Sequence, residues 1–221
     1  MAHGGDKEIE IKLRVDDVAA LQERLRRLRA RPGGRVHEAN MLFDFPDDSL
    51  RSRGMLLRLR VESPVGRRRR PARHSGEPRR ALEARIFPHK GERAAIVTWK
   101  GPAETPPAGG QSAYKVRREV EFTATSSRAM REVLLALGLR PAFCYEKIRT
   151  TFHLPREPHL VVTLDETPAG AFVELEGRPA AIDRVRRALG YQESDAILLS
   201  YGALFAELCR ARGVPMGDML F

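Results

Sequence analysis

Charged and apolar residues alternate without interruption in the segment from Glu8 to Val15. Side chains on a β-strand repeat with a period of two, so this alternation is typical of a strand with one charged face and one buried face. The charged face would carry two acids, Glu8 and Glu10, followed by two bases, Lys12 and Arg14. Acids and bases that share one face indicate a surface that binds a charged ligand.

The same alternation recurs in later segments of the chain. The acids and bases on the charged faces of these segments are Arg58, Arg60, Lys100, Arg117, Glu119, Glu121, Lys147, Arg149, Asp165, Glu174 and Glu176. One such strand is ordinary, because antiparallel sheets commonly have one face in water. If the sheet closes on itself, however, these faces converge into a charged lumen.

Taken in order, these motifs resemble the signature of the CYTH superfamily, the class IV adenylate cyclases and thiamine triphosphatases, which are also called triphosphate tunnel metalloenzymes. The resemblance runs through Glu8-x-Glu10-x-Lys12, Phe43-Asp44, Arg58-x-Arg60, Thr98-x-Lys100-Gly101, Arg117-x-Glu119-x-Glu121, Lys147-x-Arg149, Asp165, Glu174-x-Glu176-Gly177 and Ser200-Tyr201. The later part of the chain is most similar to the bacterial cyclase branch. The resemblance implies an α+β fold: an eight-stranded antiparallel β-barrel that forms a triphosphate tunnel, with helices packed on the outside.

The resemblance also implies roles for the charged residues. Seven bases would bind a triphosphate: Lys12, Arg58, Arg60, Lys100, Arg117, Lys147 and Arg149. Seven acids would hold Mg²⁺ or Mn²⁺: Glu8, Glu10, Glu119, Glu121, Asp165, Glu174 and Glu176. Catalysis would involve Lys12, Lys100 and Asp165. The residue types suit these roles, because hard divalent ions prefer oxygen ligands and arginine offers paired donors to phosphate. Alternatively, the acids simply pair with bases on neighbouring strands.

The resemblance therefore predicts a metal-dependent enzyme that acts on a triphosphate. It would be a class IV adenylate cyclase, which converts ATP to cyclic AMP and pyrophosphate, or a CYTH triphosphatase, which hydrolyses an inorganic or organic triphosphate. The chain has no Gly-x-x-x-x-Gly-Lys-Ser/Thr segment, which excludes a P-loop as the phosphate site. Leu42 stands where animal thiamine triphosphatases carry a tyrosine that pairs with the lysine matching Lys100, and this disfavours thiamine triphosphate. Ser200 and Tyr201 would either reach the substrate or serve in packing and capping.

The net charge of +10 is unevenly distributed. Residues 66–80 contain seven arginines and one acid, so this segment carries +6 and the remainder carries +4. These arginines are Arg67, Arg68, Arg69, Arg70, Arg73, Arg79 and Arg80. They suggest an alternative function, a non-catalytic module that binds polyphosphate or nucleic acid through residues 67–80. Nucleic-acid binding would be non-specific, because the segment has no aromatic residues for base stacking.

The length of 221 residues suits one domain over residues 1–221. Within it, residues 63–92 are predicted to form a flexible insertion rich in Arg, Pro and Gly, with a short helical turn from Leu82 to Ile86. Residues 211–221 form a C-terminal tail that either docks or frays. Pro32-Gly33-Gly34 is predicted to end the first helix before a strand over 36–45, and residues 196–210 are predicted to form the last helix.

The predicted location is the cytoplasm. No apolar segment approaches the ~20 residues needed to cross a bilayer, and the N-terminus lacks the features of a secretory signal. Cys144 and Cys209 are isolated in sequence and are predicted to be reduced thiols. The predicted partner is a small-molecule triphosphate such as ATP or tripolyphosphate, and the sequence leaves the oligomeric state open.

Overall fold

The computed structural model describes residues 7–65, 78–87, 93–104 and 114–221. The strands in these residues are β1 (Lys7–Val15), β2 (Arg31–Asp44), β3 (Leu56–Pro64), β4 (Ala95–Lys100), β5 (Lys115–Ala124), β6 (Arg140–Leu154), β7 (Glu157–Thr167), β8 (Gly170–Glu176) and β9 (Ala196–Ile197). The helices are α1 (Val18–Arg27), α2 (Ser49–Ser52), α3 (Pro78–Ile86), α4 (Ser127–Ala136), α5 (Pro179–Ala188) and α6 (Tyr201–Ala211). No helix in these ranges is both long and apolar enough to cross a membrane.

Eight strands form a closed antiparallel barrel, as the sequence predicts. Their order is β5-β4-β3-β2-β6-β7-β8-β1, and pairing of β5 with β1 closes the sheet. β5 reaches only the first half of β1, where Glu8 lies opposite Arg117. Further along β1, the short strand β9 takes over, with Ile197 opposite Lys12. In the described residues the sheet therefore has nine strands: eight form the predicted barrel, and β9 continues the pairing of β1 beyond the end of β5.

The apolar side chains of the strands face outward and pack under helices. Ile11 and Leu13 of β1 belong to a buried cluster with Leu21 of α1 and Ile182 of α5. A second cluster joins strands β2, β3 and β4 to α3 and α4. Full burial of a leucine or isoleucine side chain contributes about 1.5–3 kcal/mol, and a register slip of one residue would reverse both faces of a strand. Outward packing of the apolar residues therefore directs the charged faces into the lumen.

Two predicted helix boundaries are wrong. α1 ends at Arg27, and Arg29 with φ 59° turns the chain, so Pro32-Gly33-Gly34 does not end the helix. That segment lies inside β2, at an irregularity in its pairing with β6. The last helix begins at Tyr201 and not at residue 196, because residues 196–197 pair with the free edge of β1 as β9.

The insertion and the tail both contact the barrel. α3 extends the predicted helical turn, and its Leu82 and Ile86 are fully buried. Residues 66–77 and 88–92, including five of the seven clustered arginines, lie outside the described residues. The tail docks: Met219 is buried and pairs with Tyr145, at an edge of β6 that β7 does not cover.

Candidate active site

The barrel lumen contains a cavity of about 290 Å³. Its lining includes all seven predicted triphosphate-binding bases and six of the seven predicted metal-binding acids. The seventh acid, Asp165, lies behind the lining and has no exposed surface. Lys115 and Tyr201 also line the cavity, whereas Arg14 lies at the surface over the ring of Phe172. Alternation along separate strands therefore brings the charged residues together as the sequence predicts.

Four of the acids form a cluster within the lumen: Glu8, Glu10, Glu119 and Glu176. Glu10 lies opposite Glu176 across the β1–β8 pairing. Burial, followed by the negative charges of Glu8, Glu119 and Glu10, raises the pKa of Glu176 to about 7. Burial also raises the pKa of Glu8, although Lys100 works in the opposite direction. This acid cluster holds negative charge that the protein only partly compensates.

Lys100 is the main cation in the acid cluster. Its amine donates to both carboxylate oxygens of Glu8, at 2.7 and 2.6 Å, and lies 3.2 Å from an oxygen of Glu119. Burial opposes the charge of Lys100, but the neighbouring glutamates outweigh it and raise the pKa of the amine. Leu42, which lines the same cavity, offers no hydroxyl for a lysine–tyrosine pair.

Asp165 is the centre of a second network. It accepts hydrogen bonds from Lys147 Nζ at 2.9 Å, Arg149 Nε at 2.7 Å and the Tyr201 hydroxyl at 2.7 Å. Arg149 also binds Glu174. Burial opposes ionisation of Glu174, but Arg149, Lys12 and Lys147 hold its pKa well below the usual range. The acids of this network are therefore charge-compensated, unlike those of the acid cluster.

A third group consists of arginines that face the cavity and form few or long contacts with other protein groups. Arg58 donates to the Tyr145 hydroxyl at 3.2 Å and to Thr98 Oγ1 at 3.1 Å, and it lies 3.8 Å from Glu121. Arg117 forms no hydrogen bond or ion pair with any residue in the described ranges, and its Nε is buried without a partner. These guanidinium groups retain donors that an anionic ligand could use.

The seven predicted metal-binding acids thus fall into three groups: the acid cluster, the Asp165 network with Glu174, and Glu121 beside the arginines. Within the part of the chain that the structure describes, no three His, Cys, Asp or Glu side chains are arranged to hold a metal ion.

The sequence left two roles open for Ser200 and Tyr201, contact with the substrate or packing and capping. Ser200 accepts a hydrogen bond from Ala203 N and caps α6, while the Tyr201 side chain reaches into the lumen.

Glu38 and Tyr145 are two of the lumen residues that sequence reasoning missed. Glu38 on β2 lies within 3.4–3.7 Å of the charged groups of Lys147, Arg149 and Arg60. Tyr145 on β6 contacts Arg58. Both follow the period of two that identified the other lumen residues: Glu38 alternates with outward-facing Ala39, and Tyr145 precedes Lys147 by two positions. That alternation was the available signal.

The closed antiparallel barrel therefore combines an acid cluster and basic side chains in one lumen. A sequence profile of the CYTH domain matches residues 6–198, and the chain belongs to the CYTH family. A search of curated proteins gives no match.

Solved structures with the same fold come from several kingdoms. A protein of Vibrio parahaemolyticus described as a candidate adenylate cyclase is 20% identical, with a TM-score of 0.61, and the match covers 91% of this chain and 99% of that one. The PH1819 protein of Pyrococcus horikoshii is 19% identical, with a TM-score of 0.63 and the same coverages. A Hippeastrum candidate adenylyl cyclase, described as having a dominant triphosphatase activity, is 16% identical, with a TM-score of 0.56 and coverages of 95% and 97%. At these identities the likeness concerns the fold alone.

Proposed function

We propose that this protein is a divalent-metal-dependent enzyme that breaks a phosphoanhydride bond in a triphosphate. The supporting observation is that one lumen holds both an incompletely compensated acid cluster and loosely held arginines. Arg117 lies opposite Glu8 of the cluster, and Arg58 lies on β3. A triphosphate complexed with a divalent cation presents the complementary pattern, because its phosphate oxygens are anionic and its metal is cationic.

The acid cluster fits Mg²⁺ or Mn²⁺ chemically. All its donors are carboxylate oxygens, which hard divalent ions prefer, and the raised pKa of Glu176 reflects repulsion that a cation would relieve. We therefore propose that Glu8, Glu10, Glu119 and Glu176 would hold the metal once their carboxylates draw together around it, because in the described residues no three acids are already arranged to hold one. Each of the other three predicted ligands, Glu121, Asp165 and Glu174, lies against two cationic side chains. Within the cluster, Lys100 contacts Glu8 and Glu119, and Lys115 contacts Glu10. When bound, the ion would supply positive charge beside the phosphoryl group.

The basic side chains would bind and orient the phosphate chain. Arg58 and Arg117 have the fewest close acidic partners among the cavity arginines and would contact phosphate oxygens directly, with Arg60, which lies among Glu38, Glu62 and Glu121, behind them. Lys12 and Lys100 would stabilise negative charge that develops as the bond breaks. Asp165 would act as a positioning residue, because it holds Lys147, Arg149 and Tyr201 in place. Phosphoryl transfer can proceed through positioning and electrostatics without a covalent protein nucleophile.

The attacking group determines which reaction follows. Attack by water would make the protein a triphosphatase. Attack by a ribose 3′-hydroxyl on the α-phosphate would yield cyclic AMP and pyrophosphate, as in a class IV adenylate cyclase. The fold is compatible with both, since the Vibrio structure is described as a candidate adenylate cyclase and the Hippeastrum candidate cyclase as having a dominant triphosphatase activity.

A substrate panel tests this proposal. Purified protein is incubated with tripolyphosphate, ATP or thiamine triphosphate, each with Mg²⁺, Mn²⁺ or EDTA, and phosphate, pyrophosphate and cyclic AMP are quantified. We expect turnover of at least one substrate with metal and none with EDTA. The Glu10→Gln variant should lose metal-dependent turnover, while Glu166→Gln, which removes a carboxylate outside the cavity lining, should keep it. Failure of every substrate to react would overturn the proposal.

A further inference from the structure

The end of the tail pairs with an edge of β6 that β7 leaves uncovered. β7 pairs with β6 only from Ile148 onward, so the edge at Cys144 and Glu146 has no strand of the barrel beside it. Met219 occupies this edge: its N–H donates to Cys144 O, and its carbonyl accepts from Glu146 N, both at 2.9 Å. Strand edges present backbone donors and acceptors that need partners, and these two bonds supply them. The residue at the centre of the contact is Tyr145.

Side-chain contacts hold the tail in this position. The Asp218 carboxylate accepts a hydrogen bond from Cys144 N at 2.7 Å and lies 3.1 Å from Arg79 of α3. On the other side of the bridge, Phe221 N donates to Glu146 Oε2 at 3.2 Å. The end of the tail is therefore fixed to β6 from both directions and not only through its backbone.

The Met219 side chain packs beside a tyrosine of the lumen. Met219 has no exposed surface and belongs to a buried cluster with Tyr145, Tyr201 and Leu204. The Tyr145 ring also stacks on Phe143, with 6.0 Å between the ring centroids. Because buried side chains pack closely, removal of one neighbour gives the others room to move. Met219 therefore helps to determine where the Tyr145 ring lies.

Tyr145 in turn holds Arg58 inside the cavity. Arg58 Nη1 donates to the Tyr145 hydroxyl at 3.2 Å, and Arg58 Nη2 donates to Thr98 Oγ1 at 3.1 Å. Thr98 lies directly opposite Arg58 on the neighbouring strand β4, whereas Tyr145 lies two strands away on β6. The guanidinium is thus held from two sides. A long side chain that is already oriented loses less conformational freedom when it binds a ligand.

We propose that Met219 is a positioning residue: docking of the tail on β6 fixes the Tyr145 ring, whose hydroxyl orients Arg58 toward a phosphate chain. This inference rests on the proposed function, because it assumes that Arg58 binds phosphate. Among the described residues that line the cavity, none belongs to the tail. An effect of Met219 on ligand binding therefore has to pass through the barrel wall, and Tyr145 is the residue that connects the two sides.

Calorimetric dissociation constants for tripolyphosphate test the inference. They are measured in EDTA at constant ionic strength for wild type, Tyr145→Phe, Met219→Ala and the double variant. Tyr145→Phe removes one hydrogen bond to Arg58 and should weaken binding about fivefold. Met219→Ala should weaken binding by a similar factor. The double variant should also lose only about fivefold, and not the product of the two losses, because residues that act through one contact are not additive.

Two variants of the tail are matched controls. Met219→Leu nearly keeps the volume of the buried side chain and should retain the wild-type dissociation constant. Leu220→Ala shortens the next side chain, which packs against the cluster of β2, β3, α3 and α4 and not against the cluster of Tyr145. It should therefore also retain the wild-type constant. A purely structural role of the tail would not distinguish these variants from Met219→Ala by ligand affinity.

An unchanged dissociation constant in a folded Met219→Ala variant overturns the inference. A double variant whose loss equals the product of the single losses also overturns it, because the tail would then act independently of the Tyr145 hydroxyl. If Met219→Ala does not fold, Asp218→Ala replaces it, since it removes the contact with Cys144 N without shortening a core side chain, and the same factors apply. If wild type binds tripolyphosphate with an affinity that does not depend on the tail, only this inference fails. If wild type neither binds tripolyphosphate nor turns over any triphosphate, the proposed function fails with it.

Discussion

Replacement of Asp165 by asparagine should destabilise the fold more than any surface change of equal size. Asp165 has no exposed surface and accepts hydrogen bonds from Lys147, Arg149 and Tyr201. Asparagine has nearly the same shape but no charge. The substitution would therefore leave the buried Lys147 and the partly buried Arg149 with fewer compensating acids while disturbing the packing very little.

The expected cost follows from these contacts. Removal of one partner of a buried ion pair typically costs about 3–5 kcal/mol. The lower end applies here, because Lys147 retains Glu38, Arg149 retains Glu174, and the asparagine carbonyl can still accept one hydrogen bond. We expect a loss of about 3 kcal/mol in the free energy of unfolding. For a protein of this size, that corresponds to a fall in Tm of roughly 6–12 °C.

Urea unfolding followed by circular dichroism at pH 7 measures this loss. Glu157→Gln is the matched control, because Glu157 pairs with Arg184 at the surface, and it should not change the midpoint measurably. In the Asp165→Asn background, Tyr201→Phe should cost less than it does alone, since the two residues share a hydrogen bond. An Asp165→Asn variant within about 0.5 kcal/mol of wild type would refute a compensating role for this carboxylate.

Two further predictions concern ligand binding. Arg117→Ala should leave the urea midpoint unchanged, because Arg117 has no partner among the described residues. The same variant should bind tripolyphosphate about tenfold more weakly in calorimetry. A large loss of stability with intact binding would contradict this prediction. The pKa of Glu176, about 7, exceeds its ordinary value of 4.5, so without metal the fold should lose stability as pH rises from about 4.5 to about 7. Mg²⁺ should consequently raise Tm more at pH 8 than at pH 6, EDTA should reverse the effect, and Glu176→Gln should reduce this pH dependence. Equal stabilisation at both pH values would argue against metal binding at this carboxylate.

Local pattern predicts the charged and apolar faces of the strands, and the resemblance to the CYTH superfamily adds the closed eight-stranded barrel. The period of two in segments such as Glu8 to Val15 depends only on neighbouring residues, because successive side chains of a strand point to opposite faces. Once the apolar face is buried under helices, the charged face must point inward. For this reason six acids and seven of the eight bases that line the cavity could be identified from the sequence.

The pairing of those charges depends on the three-dimensional fold. Lys100 meets Glu8 across 92 positions of sequence, and Tyr201 meets Asp165 across 36. Such contacts follow from the stagger of the strands and the closure of β5 on β1, which no local pattern encodes. The same stagger separates the compensated Asp165 from the uncompensated acid cluster and buries Glu38 beneath three cations. Alternation therefore specifies which side chains enter the lumen, and barrel closure specifies which charges neutralise one another and which remain available for a ligand.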